Sequence, residues 1–214
     1  MAIKKWDYPP YEPAFELTRA YDYGYSVMED LRERMEGGPG CSNEDAGLLA
    51  EVVWRAGHSD HLEFGTLFGA TAILAAKVKQ QFDFEGEIHC VDNFSFLSDE
   101  FDMGEELVRR NAKAVGVDYR LRIIKANTSP LPLDVQNHVV RKGAYGSAYI
   151  DASHDFVSCQ IDWMNVKNIS KTVVIHDYDI SHMGVVSAVR NAMQEPGWWL
   201  VHLSEHTAIF EMLE

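Results

Sequence analysis

The sequence predicts a doubly wound α/β domain: a mostly parallel seven-stranded sheet with helices on both faces and an antiparallel hairpin at its end. Two observations lead there. From His61 onward, short apolar runs alternate with stretches of helical periodicity, and such alternation implies βαβ units and a parallel sheet covered on both faces. The alternation then stops. "WWLVHL" (198–203) and "HTAIFEML" (206–213) are separated only by Ser204-Glu205, which is the spacing of a hairpin. Five βα units followed by a hairpin is a specific order of parts.

The elements follow in turn. Residues 1–41 form an aromatic-rich extension, with Trp6, Tyr8, Tyr11, Phe15, Tyr21, Tyr23 and Tyr25 crowded among prolines 9, 10 and 13. The rings suit a lid that stacks on a ligand, or a contact between copies in a homo-oligomer. "GGPG" (37–40) breaks the chain, and the main domain is expected over 42–214. "SNED" (42–45) resembles a capping box, with Ser42 accepting a backbone N–H and Asp45 reaching back; a helix should run to about Arg55. The strand candidates are "HLEF" (61–64), "EIHCVD" (87–92), "LRIIKA" (121–126), "GSAYID" (146–151) and "TVVIHD" (172–177). Helices are expected at about 70–80, 102–116, 133–142, 155–168 and 183–194. In the last, Val185, Val189 and Ala192 fall at i, i+4 and i+7, and Val186 and Met193 widen the stripe.

Composition narrows the function. The 214 residues are 46% apolar and 24% charged, with a formal net charge of −14, and Lys and Arg form no cluster. Such a surface repels phosphate backbones and anionic membranes, so neither nucleic acid nor membrane is an expected partner. "MAIKKWDYPPYEPAF" has no apolar stretch of the kind a secretory signal needs. The three cysteines, Cys41, Cys90 and Cys159, have no metal or redox spacing and read as reduced thiols of a cytoplasmic protein.

In doubly wound sheets, ligands bind beyond the carboxyl ends of the strands. The first strand ends in Glu63-Phe64-Gly65, and Gly69 opens the next helix. A dinucleotide fingerprint would need a glycine at Leu67, and a phosphate loop would need a lysine near Gly69-Ala70-Thr71. The second strand ends in Asp92, a carboxylate able to accept both hydroxyls of a ribose. A nucleoside without a phosphate fits this pair better than a dinucleotide.

In this order, "EFGTLFGAT" resembles the glycine motif of class I S-adenosylmethionine-dependent methyltransferases, which have a Rossmann-like fold. Asp92 resembles their ribose-binding acid. "YIDASHD" (149–155) and "VVIHDYD" (173–179) are similar to the motifs after strands four and five of small-molecule O-methyltransferases, of the catechol, sugar, macrolide and cephalosporin types. The resemblance implies an enzyme that uses S-adenosylmethionine, with Glu63, Gly65, Gly69, Asp92, Asn127 and Asp151 around the cofactor and Asn127 bordering the adenine. It implies transfer of the methyl group to a hydroxyl of a small metabolite. A metal-independent N-methyltransferase and a non-catalytic nucleoside-binding protein remain alternatives.

A neutral hydroxyl is a poor nucleophile, so a base or a metal is needed. Asp151 and Asp177 end neighbouring strands and suit Mg²⁺ or another divalent cation. In the resembling metal-dependent enzymes a third Asp, Glu or Asn adjoins the second carboxylate. Here its neighbours are His176 and Tyr178, with Asp179 one further on. His176 offers a nitrogen where Mg²⁺ prefers oxygen. His154, three residues after Asp151, is the candidate general base; the same D-x-x-H arrangement occurs in some of the sugar O-methyltransferases that the chain resembles.

Overall fold

A computed structural model describes residues 17–38, 40–95 and 104–213. The predicted architecture is present. Helices α1 (Arg19–Arg34) and α2 (Asn43–Ala56) precede β1 (His61–Phe64), α3 (Ala70–Gln81), β2 (Ile88–Asp92), α4 (Gly104–Ala114), β3 (Leu121–Lys125), α5 (Leu133–Lys142), β4 (Tyr145–Ile150), α6 (Phe156–Val166), β5 (Ser170–His176) and α7 (Met183–Ala192). Strands β6 (Trp198–Leu203) and β7 (Thr207–Met212) close the chain. The strand order is β3-β2-β1-β4-β5-β7-β6. The first five strands in that order are parallel, and β7 runs antiparallel to both β5 and β6.

The central strands β1, β2 and β4 are short and almost wholly buried, which is why they read as apolar runs rather than alternating ones, whereas the edge strands β3 and β6 are partly exposed. Their side chains divide between two cores. Leu62, Phe64, Tyr145, Ala148 and Ile150 meet α5, α6 and α7 around Trp163, while Ile88, Cys90 and Tyr149 face α1–α4. All three cysteines are buried free thiols. Among the described residues no helix is long and apolar enough to cross a membrane.

Helix α1 is absent from the sequence-based expectation. Its residues look polar and aromatic, yet Met28 and Leu31 are fully buried against α2 and α3. Gly24 permits the contact: a Cβ there would sit 2.4 Å from Ala50 Cβ. The Tyr21 ring covers Gly47, and Tyr23 meets Phe82 edge to face. Tyr25 lies exposed on α1, and Trp6, Tyr8, Tyr11 and Phe15, also part of the expected aromatic cover, lie outside the described residues.

The capping box is half as expected. Ser42 Oγ accepts the Asp45 N–H at 3.1 Å, and the Asp45 carboxylate is shared between the N-cap side chain and the end of the sheet. It accepts the Ser42 hydroxyl at 2.6 Å and the Thr207 hydroxyl at 2.5 Å.

At the opposite end of β1, His61 is buried with Nδ1 2.8 Å from Ser147 Oγ. Burial pushes its pKa down to about 3, and Lys79 and His89 add to the effect. The unfolded chain therefore takes up a proton, near pH 6.5, that the folded chain refuses. The contribution of His61 is present above that pH and is lost as the pH falls toward 3, by about 1.4 kcal/mol per pH unit. Urea denaturation at pH 7 and pH 5 should show His61→Gln losing less stability on acidification than the wild type.

Candidate functional site

The glycine turn is shaped first by other backbone. Gly65 has φ +86°, and a Cβ there would lie 2.0 Å from the Asp151 carbonyl oxygen. Only glycine lets the β1 turn and the end of β4 lie this close. The two segments are also tied in register, since the Asp151 N–H donates to Phe64 O at 2.8 Å. Gly69, at φ +90°, precedes α3, and a Cβ there would meet Val108 Cγ1 at 2.8 Å.

Between the two glycines the backbone points at Asp92. The N–H groups of Thr66 and Leu67 donate to Asp92 Oδ2 at 2.7 and 2.8 Å, and the Phe94 N–H donates to Oδ1 at 2.6 Å. Asp92, the expected ribose-binding acid, thus also binds loop backbone. A carboxylate has about four lone-pair sites; two are used to tie the loop after β1 to β2 and a third closes the turn after β2 itself. About one remains for a ligand.

A cavity of about 790 Å³ opens over the carboxyl ends of the strands. Its wall includes Gly65, Asp92, Asn127, Asp151, His154 and Asp177, so most of the expected site residues meet there. Two expected residues stand behind the wall. Glu63 is fully buried, and burial lifts its carboxyl to about 8, with Thr71 and Thr66 hydroxyls pulling the other way. Gly69 serves the α3–α4 packing just described. Asn127 lies at the rim, accepting from Asn93 Nδ2 at 2.7 Å.

The wall carries four carboxylates, Asp92, Asp151, Asp162 and Asp177, and no Lys or Arg among the described residues. Asp162 is absent from the sequence-based candidates. It is 1% exposed, and burial raises its pKa to about 6 against a lowering by the Thr128 hydroxyl. Its placement depends on α6 docking against the loop after β3, where Asn165 Nδ2 donates to Thr128 O at 3.1 Å. An acid between Ile161 and Trp163 was the available signal.

At the β4 and β5 ends, acids and imidazoles interleave. His154 Nε2 lies 3.0 Å from Asp177 Oδ2 and 3.6 Å from Asp151 Oδ1. The Asp151 and Asp177 carboxylates push its pKa up to about 10. Buried His176 presents Nδ1 to Asp177 Oδ1 at 3.3 Å and to Asp151 Oδ2 at 3.5 Å, and Nε2 to Asp45 Oδ2 at 3.5 Å. Burial alone would depress its pKa, but Asp151 and Asp45 outweigh it and hold it near 10. Asp45 and Asp177 respond inversely: burial would raise both, and their imidazole partners hold them below the usual carboxylate range. Asp177 adopts φ +58°, a left-handed conformation that Asp tolerates better than most residues. Asp179, the next acid along, instead holds His182 Nδ1 at 3.0 Å and the Ser181 hydroxyl.

No protein-family model and no curated protein sequence matches the chain. Solved structures do. The O-methyltransferase from Bacillus cereus, in complex with SAH, matches with a TM-score of 0.62 over 92% of this chain and 98% of that one, at 14% identity. The O-methyltransferase NovP matches with a TM-score of 0.63 over 93% and 100%, also at 14% identity. TomG from Streptomyces achromogenes, an O-methyltransferase of tomaymycin synthesis in complex with SAM, gives 0.60 over 94% and 92%, at 12% identity. The chain has the class I methyltransferase fold.

Within the methyltransferase fold, the Gly65–Asp151 contact sets how closely the glycine turn and the β4 end approach. Gly65→Ala combines left-handed strain, about 1–2 kcal/mol, with a clash against backbone that cannot rotate away. Gly116, at φ +74° with open space within 4 Å of where a Cβ would stand, supplies the strain alone. Urea denaturation should show Gly65→Ala losing clearly more stability than Gly116→Ala; equal losses would mean that the β4 end moves aside freely.

Proposed function

We propose that the chain is an S-adenosylmethionine-dependent O-methyltransferase acting on a hydroxyl of a small metabolite. The observation that carries this reading is a cavity at the strand ends whose described wall has four carboxylates against a single imidazole, His154, and no Lys or Arg. A dinucleotide or nucleotide would bring phosphates to that wall and be repelled. S-adenosylmethionine brings a sulfonium and an ammonium group, which such a wall attracts. The similar Bacillus cereus and TomG structures, in complex with SAH and SAM, support the same choice.

The reaction is an in-line displacement. The acceptor oxygen attacks the methyl carbon, the carbon–sulfur bond breaks with its electrons going to sulfur, and the acceptor proton must leave. The donor is already activated, so the protein's task is to position the acceptor and receive that proton. Asp92 and the turn it holds would bind the ribose end, leaving Asp151, His154 and Asp177 at the reacting end. The last three border one cavity, and His154 is the group among them able to carry a proton away.

The donor set also fits a divalent cation. One oxygen each from Asp151 and Asp177 and one nitrogen from His176 lie within 4.8 Å of one another. A cation held there would lower the pKa of an acceptor hydroxyl as a Lewis acid. In the arrangement described, the carboxylates instead hold His154 protonated, so His154 is free to act as a base when their charge is neutralised otherwise.

Two outcomes test this reading. Calorimetry should show S-adenosylhomocysteine binding, with NAD much weaker, and Asp92→Asn should weaken S-adenosylhomocysteine by about 1–3 kcal/mol; unchanged affinity in the variant would place Asp92 in a purely structural role. With an acceptor in hand, His154→Ala should cut kcat by about 10²–10⁴-fold while leaving cofactor affinity nearly untouched. A loss below tenfold would make His154 a positioning residue, and full turnover after exhaustive chelation would remove the cation.

A further inference from the structure

The cation expected from the sequence is Mg²⁺, which favours six oxygens in a near-ideal octahedron. The residues around Asp151 and Asp177 supply something different. His176 occupies the position beside the second carboxylate, its side chain is 5% exposed, and neither ring nitrogen has a partner in hydrogen-bonding geometry. Nδ1 faces the two strand-end carboxylates. The other nitrogen faces a third carboxylate, Asp45, on a different element.

Asp45 is itself fixed. The Ser42 hydroxyl donates to Oδ2 and the Thr207 hydroxyl to Oδ1, so one residue at the start of α2 and one on β7 hold the carboxylate against β5. A carboxylate accepting one ring N–H of a histidine fixes the tautomer and aims the opposite lone pair. Metal-ligating histidines recurrently have this carboxylate behind them. Here Asp45 Oδ2 stands 3.5 Å from Nε2; closing that gap to a hydrogen bond would aim the Nδ1 lone pair at Asp151 and Asp177, and the three prospective ligand atoms already lie within 4.8 Å of one another.

We propose that Asp45 orients His176 as a nitrogen ligand in a cation site completed by Asp151 and Asp177, and that the site selects a transition-metal dication such as Mn²⁺ or Co²⁺ over Mg²⁺. Imidazole nitrogen suits first-row transition ions, whereas carboxylate and water oxygens alone suit Mg²⁺. The inference rests on the methyltransferase reading only for the use of the cation; the site's ligands are defined without it. Asp45 acts as a positioning residue, since it faces the imidazole and not the cavity.

The test uses the full-length protein, stripped with chelator and titrated calorimetrically with MnCl₂, CoCl₂ and MgCl₂. One ion per chain is expected, with Mn²⁺ and Co²⁺ binding at least about tenfold more tightly than Mg²⁺. Pulsed electron paramagnetic resonance of the Mn²⁺ form should show coupling to a ¹⁴N nucleus that persists in His154→Ala and disappears in His176→Asp. The latter variant should also shift preference toward Mg²⁺, and Asp45→Asn should weaken Mn²⁺ by about 10–100-fold. Mn²⁺ bound without nitrogen coupling in the wild type, or coupling that survives in His176→Asp, overturns the proposal. So does the absence of any bound ion. S-adenosylhomocysteine titrated into the same stripped sample separates the two readings: its binding without metal binding removes the cation site and leaves the methyltransferase assignment standing.

Discussion

The backbone of Gly65 lies against the carbonyl of Asp151, and the rest of the site is arranged around that approach. It brings the turn after β1 and the exit of β4 into direct contact, so a loop that can hold a nucleoside and a strand end that carries acids share one wall. A side chain at position 65 would drive them apart. Asp92 then locks the turn from its other side by accepting the Thr66, Leu67 and Phe94 N–H groups. The loops after β1 and β4 are thus fixed by backbone against backbone, and those after β1 and β2 by one carboxylate whose three accepted hydrogen bonds hold its rotamer. Such rigidity is what positioning catalysis requires.

The charge distribution has its own logic. Three carboxylates, Asp45, Asp151 and Asp177, are brought close together at the ends of β4 and β5, and like charges at such distances are costly unless compensated. His154 and His176 compensate them, and the effect is reciprocal: imidazoles pushed up to about 10, and Asp45 and Asp177 held below the usual range. The same cluster can balance its charge with two imidazolium protons or with a cation between the acids. That duality links the proposed acid–base role of His154 to the occupancy of the site.

Much of the architecture was legible because the central strands are covered on both faces. Buried parallel strands must be continuous apolar runs, and the predicted bounds of β1, β6 and α5 match the structure residue for residue. Helix α1 was not legible. Its buried residues Ala20, Gly24, Val27, Met28 and Leu31 keep helical spacing, but the first two are small and three tyrosines interrupt them, so a contact in which Gly24 meets Ala50 leaves only a weak apolar signal. Asp45 misled for a related reason: its position in "SNED" matches a cap, and nothing local says that Thr207 and His176 will offer better partners.

The sequence by itself determined the fold class, the order of its units and the strand ends at which Gly65, Asp92, Asp151 and Asp177 stand, because periodicity and turn residues are local properties of the chain. Only the tertiary structure decided what those residues face. It spent most of Asp92 on the loop backbone, set Glu63 behind the cavity wall, put Asp162 into it and brought Asp45 against His176. Those relations join residues as much as 162 positions apart, as Asp45 and Thr207 are. Pairings of that reach are fixed by how helices and strands pack, and no local pattern encodes them.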